Sequence, residues 1–346
     1  MVNNILNFQQ KIIPEMIELL KKRYQILKSI YYSQPIGRRA LSQELSMGER
    51  IVRTEVSFLK EQGLVEINSI GMMITEEGKN ILENLEEMIH EISGLSNIEE
   101  TLKKYLGIYE VKVVPGDLDL DSTVLKEMGR IAADYVKELI QDNYIIAVTG
   151  GSSVAQVVEN FPKVNKQNLL VIPARGGIGR IVETQASTLA SKLALRIGAS
   201  YKLLHVPDNL SRDALETMLN EPDIKDTVEK ISKSNILIFG IGRADEMGKR
   251  RGLTEDEIKM LLQKGAVAEA FGCYFNKYGK IVDKTPTMTL DFEDVKNIDH
   301  IVAIAGGKYK AQAVAAVRTN NPNMVLVTDE GCAKELLKLK DESITK

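Results

Sequence analysis

Beyond residue 100 the chain carries seven short, strongly apolar runs, at 109–114, 144–148, 169–173, 201–205, 236–241, 301–305 and 324–328. Helical patterns lie between most of them, at 122–141, 153–159, 183–197, 254–264 and 309–318. A strand without a polar face must be covered on both sides, and alternating helices supply that cover. The pattern predicts an α/β fold over 101–346, a doubly wound and mostly parallel sheet. In such sheets ligands gather beyond the C-terminal strand ends.

Four of those ends carry chemistry: Thr149-Gly150-Gly151-Ser152-Ser153, Arg175-Gly176-Gly177, Gly240-Ile241-Gly242-Arg243 and Gly306-Gly307-Lys308-Tyr309-Lys310. A strand that ends in glycines and hydroxyls at a helix start presents backbone N–H groups, and the helix dipole favours an anion there. Glycine lets the backbone approach the ligand, and an arginine adds a bidentate charge. One phosphate needs a nest and a cation. Two nests with separate cations suit a doubly phosphorylated ligand, and Arg175, Arg250, Arg251 and Lys310 are the candidate cations. Glu269 and Gln185 are placed to accept hydrogen bonds from sugar hydroxyls. Each of these residues alone reads as a solvated charge or a helix cap; gathered at strand ends they read as a phosphate site. Gly176-Gly177-Ile178-Gly179 has the wrong spacing for a dinucleotide fingerprint, and GxxxxGK[ST] is absent, which argues against a triphosphate loop.

With 346 residues, a second domain is expected. In residues 1–75, Ile13, Met16, Ile17, Leu20, Tyr24, Leu27 and Tyr31 step by three or four along one helix, with Pro14 in its first turn. A short helix follows from Arg38 to Leu45, then a turn at Ser46-Met47-Gly48, then a helix from Glu49 to Gln62 with Val52, Val56 and Leu59 facing inward. Two short apolar runs around Asn68-Ser69-Ile70-Gly71 form a hairpin. This is the order of a winged helix-turn-helix, whose third helix enters the major groove. Arg50, Arg53, Thr54 and Ser57 lie off its apolar face, able to reach bases or phosphates, and Arg38 and Arg39 are placed for the DNA backbone. A small protein-interaction module with solvated arginines is the plainer alternative.

Net charge over the whole chain is only -3. Residues 1–75 hold ten Lys and Arg against seven Asp and Glu, whereas 76–100 hold one Lys against eight acids. A mildly basic head on an acidic connector confines nucleic-acid contact to the head. In the connector, Ile81, Leu85, Met88, Ile92 and Leu95 form a short heptad seam, which fits either an amphipathic helix packed on its own domain or a dimerisation helix. Trp is absent and aromatics are 5%, which argues against a stacking platform for single strands. Cys273 and Cys332 show neither metal-ligand nor disulfide spacing and read as buried thiols of a reducing cytosol. No apolar run approaches the roughly 18 residues of a membrane span, and no signal-peptide pattern opens the chain, so a cytoplasmic protein is expected.

The runs Val148-Thr149-Gly150-Gly151-Ser152-Ser153, Pro173-Ala174-Arg175-Gly176-Gly177, Lys249-Arg250-Arg251-Gly252 and Glu269-Ala270-Phe271-Gly272, with the head-plus-body plan, resemble the SorC family of sugar-responsive bacterial regulators. The resemblance spans nearly the whole chain. It implies a transcriptional repressor with a winged head and an effector domain similar to ribose-5-phosphate isomerase and glucosamine-6-phosphate deaminase. For members acting on glycolytic operons it implies fructose 1,6-bisphosphate as effector, no cofactor, operator DNA as target, and a dimer or tetramer. By motif, the phosphate site carries onto Thr149, Gly150, Gly151, Ser152 and Ser153, with Arg175 and Gly176. The second phosphate and the hydroxyl contacts carry onto Gln185, Arg250, Arg251, Glu269 and Lys310. The head matches the family only in pattern, so no operator sequence transfers.

A sugar-phosphate isomerase or deaminase with an appended DNA-binding head is the rival reading. Such chemistry needs a positioned acid/base pair. The deaminases place a catalytic His shortly after a Gly-x-Gly-x-Asp-Gly turn, and the comparable stretch from Gly240 to Met247 holds none. The three histidines are His90, in the connector, and His205 and His300, at strand ends, where they read as structural. The expectation is therefore a regulator and not an enzyme.

Overall fold

A computed structural model describes residues 12–178, 181–204, 206, 211–288 and 290–344. Gly179 and His205 lie outside the described residues.

The head opens with helix α1 (Pro14–Ser33), followed by α2 (Arg38–Glu44) and α3 (Glu49–Glu61). Leu41, Val52 and Val56 are fully buried against α1. The wing is an antiparallel pair, β1 (Val65–Asn68) and β2 (Gly71–Ile74), in register Val65↔Ile74. Asn68 Oδ1 closes its turn by accepting from the N–H groups of Ile70 and Gly71, both at 3.1 Å. One difference from the expected stripe is informative. Ile26 and Ile30 of α1 are buried as well, together with Lys28 and Ser29, while Ile13 and Met16 are exposed. The helix is covered on two sides, by the head and by the body, so a single-stripe pattern underestimates its burial.

Helix α4 (Glu76–Ile92) begins on Thr75, whose hydroxyl accepts from Gly78 N–H. The heptad seam does not continue along it. The chain breaks at Ser93-Gly94, and Leu95 starts a separate helix, α5 (Leu95–Leu106). Leu82 and Ile89 join the head core, whereas Leu95 and Leu102 join the body core. The seam is thus divided between two cores of the same chain, and none of its side chains is exposed.

In the body, β3 (Glu110–Val114), α6 (Thr123–Leu139), β4 (Ile145–Val148), α7 (Ser152–Asn160), β5 (Leu170–Pro173), α8 (Ala186–Ile197) and β6 (Ser200–Tyr201) follow in turn. Helices α9 (Arg212–Leu219) and α10 (Pro222–Ser232) lead to β7 (Ile236–Gly240) and β8 (Gly242–Arg243). Then come α11 (Ala244–Arg250), α12 (Glu255–Gln263), β9 (Ala266–Ala270), β10 (Cys273–Asn276), β11 (Ile281–Lys284), β12 (His300–Ile304), α13 (Ala311–Ala316), β13 (Met324–Asp329) and α14 (Glu330–Ile344).

All seven expected runs contribute to one parallel sheet in the order β3-β13-β12-β7-β4-β5-β6. The run at 201–205 contributes least, since only Ser200 and Tyr201 pair with β5. Strand residues alternate between two cores. Ile236 and Ile238 face the layer of α6, α7 and α8, while Leu237 and Phe239 face the opposite layer. This explains runs without a polar face. A second sheet, antiparallel in the order β11-β10-β9-β8, was not expected from the sequence. The order of strand addition reverses between β4 and β7, from which β5 and β6 extend one way and β12 and β13 the other, and this opens a crevice at their C-terminal ends. No helix among the described residues is long and apolar enough to cross a membrane.

Candidate ligand-binding cavity and nucleic-acid interface

A cavity of about 770 Å³ occupies that crevice. Its lining includes Thr149, Gly150, Gly151, Ser152, Ser153, Arg175, Gly176, Gln185, Arg250, Arg251, Glu269 and Lys310. All twelve sequence candidates therefore meet in one place, although they come from chain segments far apart.

The β4–α7 turn supplies the backbone. Thr149 N–H donates to the Ile238 carbonyl at 3.0 Å, and its hydroxyl lies 3.4 Å from Gly240 N–H, so it ties β4 to β7. Gly150 packs on the next loop, where a Cβ would fall 2.6 Å from the Thr184 carbonyl oxygen. Gly151, at φ +118, adopts a backbone that other residues resist. Its N–H donates to Thr184 at 2.9 Å. The N–H groups of Gly150, Ser152, Ser153 and Val154 find no acceptor among the described residues. Four open amides at the start of α7 form an anion nest.

The other turns differ from expectation. Gly176 N–H donates to Met288 and Gly177 N–H to Val206. Gly307 N–H donates to Asp329 Oδ1 at 2.7 Å, and Lys308 N–H to Asp119 Oδ2 at 2.9 Å. The chain thus fills its own second nest with carboxylates. At Gly176, Gly177, Gly307 and Lys308 the turns therefore offer the cavity side chains, not free amides. The expectation of two nests is corrected to one nest plus cations.

Among the described lining residues five are cationic, Arg175, Lys249, Arg250, Arg251 and Lys310, against Glu246 and Glu269. Glu269 is 2% exposed. Its Oε1 accepts from Arg251 at 2.7 Å and from Gly272 N–H at 2.8 Å, and lies 3.6 Å from Arg175. Burial works against its charge, but the two guanidiniums prevail and hold the carboxyl below the usual range. Its Oε1 thus braces the two arginines at the cavity wall. Gln185 is also engaged. Its Oε1 accepts from Ile178 N–H at 2.9 Å and its Nε2 donates to the Ile178 carbonyl at 2.7 Å, which clamps the loop after β5. Lys310 makes no side-chain hydrogen bond or ion pair with a described residue. Burial pushes its ammonium below the usual lysine range, and Arg250 adds to this against an opposing pull from Glu246. An arriving dianion would relieve both Lys310 and Arg250.

No histidine lines the cavity among the described residues. Asp245, beyond the β7 turn, is held by Arg243 at 3.1 and 2.7 Å. The arrangement suits an anion, and its described lining offers no histidine as an acid/base group.

On the head, Arg50, Arg53, Thr54 and Ser57 are exposed along one face of α3, opposite Val52, Val56 and Leu59. The Thr54 hydroxyl donates back to the Arg50 carbonyl at 3.0 Å. Arg38 and Arg39 are exposed at the start of α2. Of the three acids on α3, Glu55 is withdrawn from this face into a pair with Arg23 at 2.9 Å, while Glu49 and Glu61 at the two ends are exposed.

Comparison with known proteins agrees with this division. Residues 90–338 match the "Putative sugar-binding domain" family and residues 19–89 the CggR N-terminal DNA binding domain family. The central glycolytic genes regulator of Priestia megaterium is 42% identical over 97% of this chain and 99% of its own. That of Bacillus subtilis is 40% identical over 97% and 99%. A solved structure described as a "putative SorC family transcriptional regulator" from Enterococcus faecalis, 40% identical, covers 70% of this chain and 99% of its own with a TM-score of 0.64. The full-length sorbitol operon regulator SorC of Klebsiella pneumoniae, 21% identical, shares the fold over 93% of this chain and 98% of its own, with a TM-score of 0.65.

Proposed function

The chain belongs to the SorC family of sugar-binding transcriptional regulators, a family of regulators rather than enzymes, and from that premise we propose that it represses a glycolytic operon under control of a sugar bisphosphate. The head grips operator DNA through Arg50, Arg53, Thr54 and Ser57 in the major groove, with Arg38 and Arg39 on the phosphates. The effector is fructose 1,6-bisphosphate. One phosphate sits on the open amides of Gly150, Ser152, Ser153 and Val154, and the other among Arg250, Lys310 and Arg175. The protein works in the cytoplasm as a homo-oligomer, so that paired heads meet paired half-sites. Ligand shifts operator affinity only by binding one state of the protein better than the other.

The observation that carries this reading is an open nest at a helix N-terminus, facing a surplus of cations in a cavity with no histidine among its described lining residues. A thermal-shift panel of sugar mono- and bisphosphates, with inorganic phosphate as control, tests it. A selective rise with fructose 1,6-bisphosphate is the expected result, followed by a changed affinity for DNA. Equal small shifts with every anion would defeat the effector assignment.

A further inference from the structure

Helix α6 stands between the head and the cavity, and its contacts run to both. On the head side, Lys28 of α1 is 2% exposed. Its ammonium donates to Glu127 Oε2 of α6 at 2.7 Å and to the Pro115 carbonyl at 3.2 Å. Glu127 is 1% exposed. The neighbouring Lys126 donates to the Tyr32 carbonyl at 2.7 Å, and Arg130 reaches Glu86 of α4 at 2.5 Å. On the cavity side, Gly129 lies so close to α7 that a Cβ would fall 2.6 Å from the backbone carbonyl of Gln156. The first turn of that same α7 carries the open nest. Met128 meets the other wall: a Cβ on Gly306, which opens the turn leading to Lys310, would fall 2.9 Å from the Met128 side chain.

A buried ion pair adds little net stability, because desolvation offsets the attraction. What it does is fix one pose, since each charge is satisfied only when the other is in place. The backbone contact at Gly129 seats α6 directly on α7, and the Met128 side chain sets α6 against the turn leading to Lys310. We propose that α6 is the relay between ligand cavity and DNA head, with the Lys28–Glu127 pair as the positioning contact that passes its movement to α1. This rests on the effector reading above.

The test uses the full chain and a DNA duplex selected by the wild-type protein from a random-sequence pool. DNA affinity is measured by fluorescence anisotropy with and without fructose 1,6-bisphosphate, and ligand affinity by calorimetry. The variant Lys28→Met/Glu127→Leu replaces the pair with apolar groups of similar size, an exchange that buried pairs often tolerate. The expected result is ligand affinity within about twofold of wild type, with the ligand-induced change in DNA affinity reduced at least about fivefold. An unchanged ratio overturns the relay, as does lost ligand affinity, which would place the pair's influence in the cavity. A wild-type protein whose DNA affinity ignores the ligand overturns the effector reading itself, a separate outcome. Should the double variant fail to fold, Lys126→Met asks the same question at the Tyr32 contact. A reduced ratio then supports the relay and an unchanged one overturns it.

Discussion

Glu269→Gln isolates the electrostatics that hold the cavity in shape. The substitution keeps the volume and one carbonyl oxygen, which can still accept from Gly272 N–H. It removes the charge that stands 2.7 Å from Arg251 and 3.6 Å from Arg175. Two buried guanidiniums are then left around a neutral amide. Breaking a buried pair by removing one partner costs about 3–5 kcal/mol. The lower end applies, because Arg175 lines a cavity that admits water. At roughly 2–4 °C per kcal/mol for a domain of this size, Tm should fall by ~6–12 °C. A phosphate ligand supplies negative charge in the same place, so it should raise Tm more in the variant than in wild type. Acid dependence gives a second readout. The folded carboxyl titrates below its ordinary value of 4.5. Its contribution is therefore complete above that value and lost as pH falls through the depressed one. The variant should show a shallower loss of stability in that acidic window. Differential scanning fluorimetry across pH measures both effects. A Tm within about 2 °C of wild type, with unchanged acid dependence, would refute the bracing role.

Other substitutions separate binding from folding. Arg250→Ala removes an exposed cation and should weaken sugar-bisphosphate binding by about 1.5–3 kcal/mol, the worth of a hydrogen bond to a charged group, at unchanged Tm; calorimetry that finds full affinity would remove Arg250 from the site. Arg53→Ala should lower DNA affinity by about 1–3 kcal/mol if it reads a base, or reduce the salt slope by about 1 if it holds a phosphate; a binding isotherm identical to wild type at every salt would show that α3 faces away from DNA. His90 bridges the break between α4 and α5 through Glu99 Oε1 at 2.9 Å. Burial opposes its protonation, but the Glu99 hydrogen bond and charge win and raise its pKa. The resulting stability is full below the ordinary value of 6.5 and is lost as pH rises through the folded value. His90→Gln should flatten Tm against pH above that point, and an unchanged profile would count against the bridge.

The parallel sheet was legible because each strand has two buried faces, which leaves runs such as 236–240 and 301–304 with no polar interruption. The second sheet was hidden because β9, one of its two central strands, is three-fifths alanine, with a single β-branched residue, Val267, beside the charged Glu269. The nest at 149–153 and Arg175 were legible from strand-end logic, while the assignment of Gln185, Arg250, Arg251, Glu269 and Lys310 to the same site leaned on the family resemblance. Their duties were not legible. Whether a backbone amide is open or already satisfied depends on partners such as Met288, Val206, Asp119 and Asp329, which the local sequence does not name. The same holds for Lys28, which reads as a surface charge on a helix until the body of the protein is laid against it.

The self-filled turn at Gly307 and Lys308 bears on how sugar recognition can diversify. A seat made of main-chain amides can be altered only by rebuilding the loop, and here one such seat remains open to ligand. The other anchors of the proposed pose are side chains: Arg250 and Lys310 are replaceable by one codon change while the scaffold stays put, whereas Arg175 is held in the buried cluster with Glu269. In the proposed pose one end of the ligand is specified by the fold, and the other by side chains. If the pose holds, a fixed phosphate socket with a second pole made of side chains would let a regulator of this build change its sugar without changing its fold.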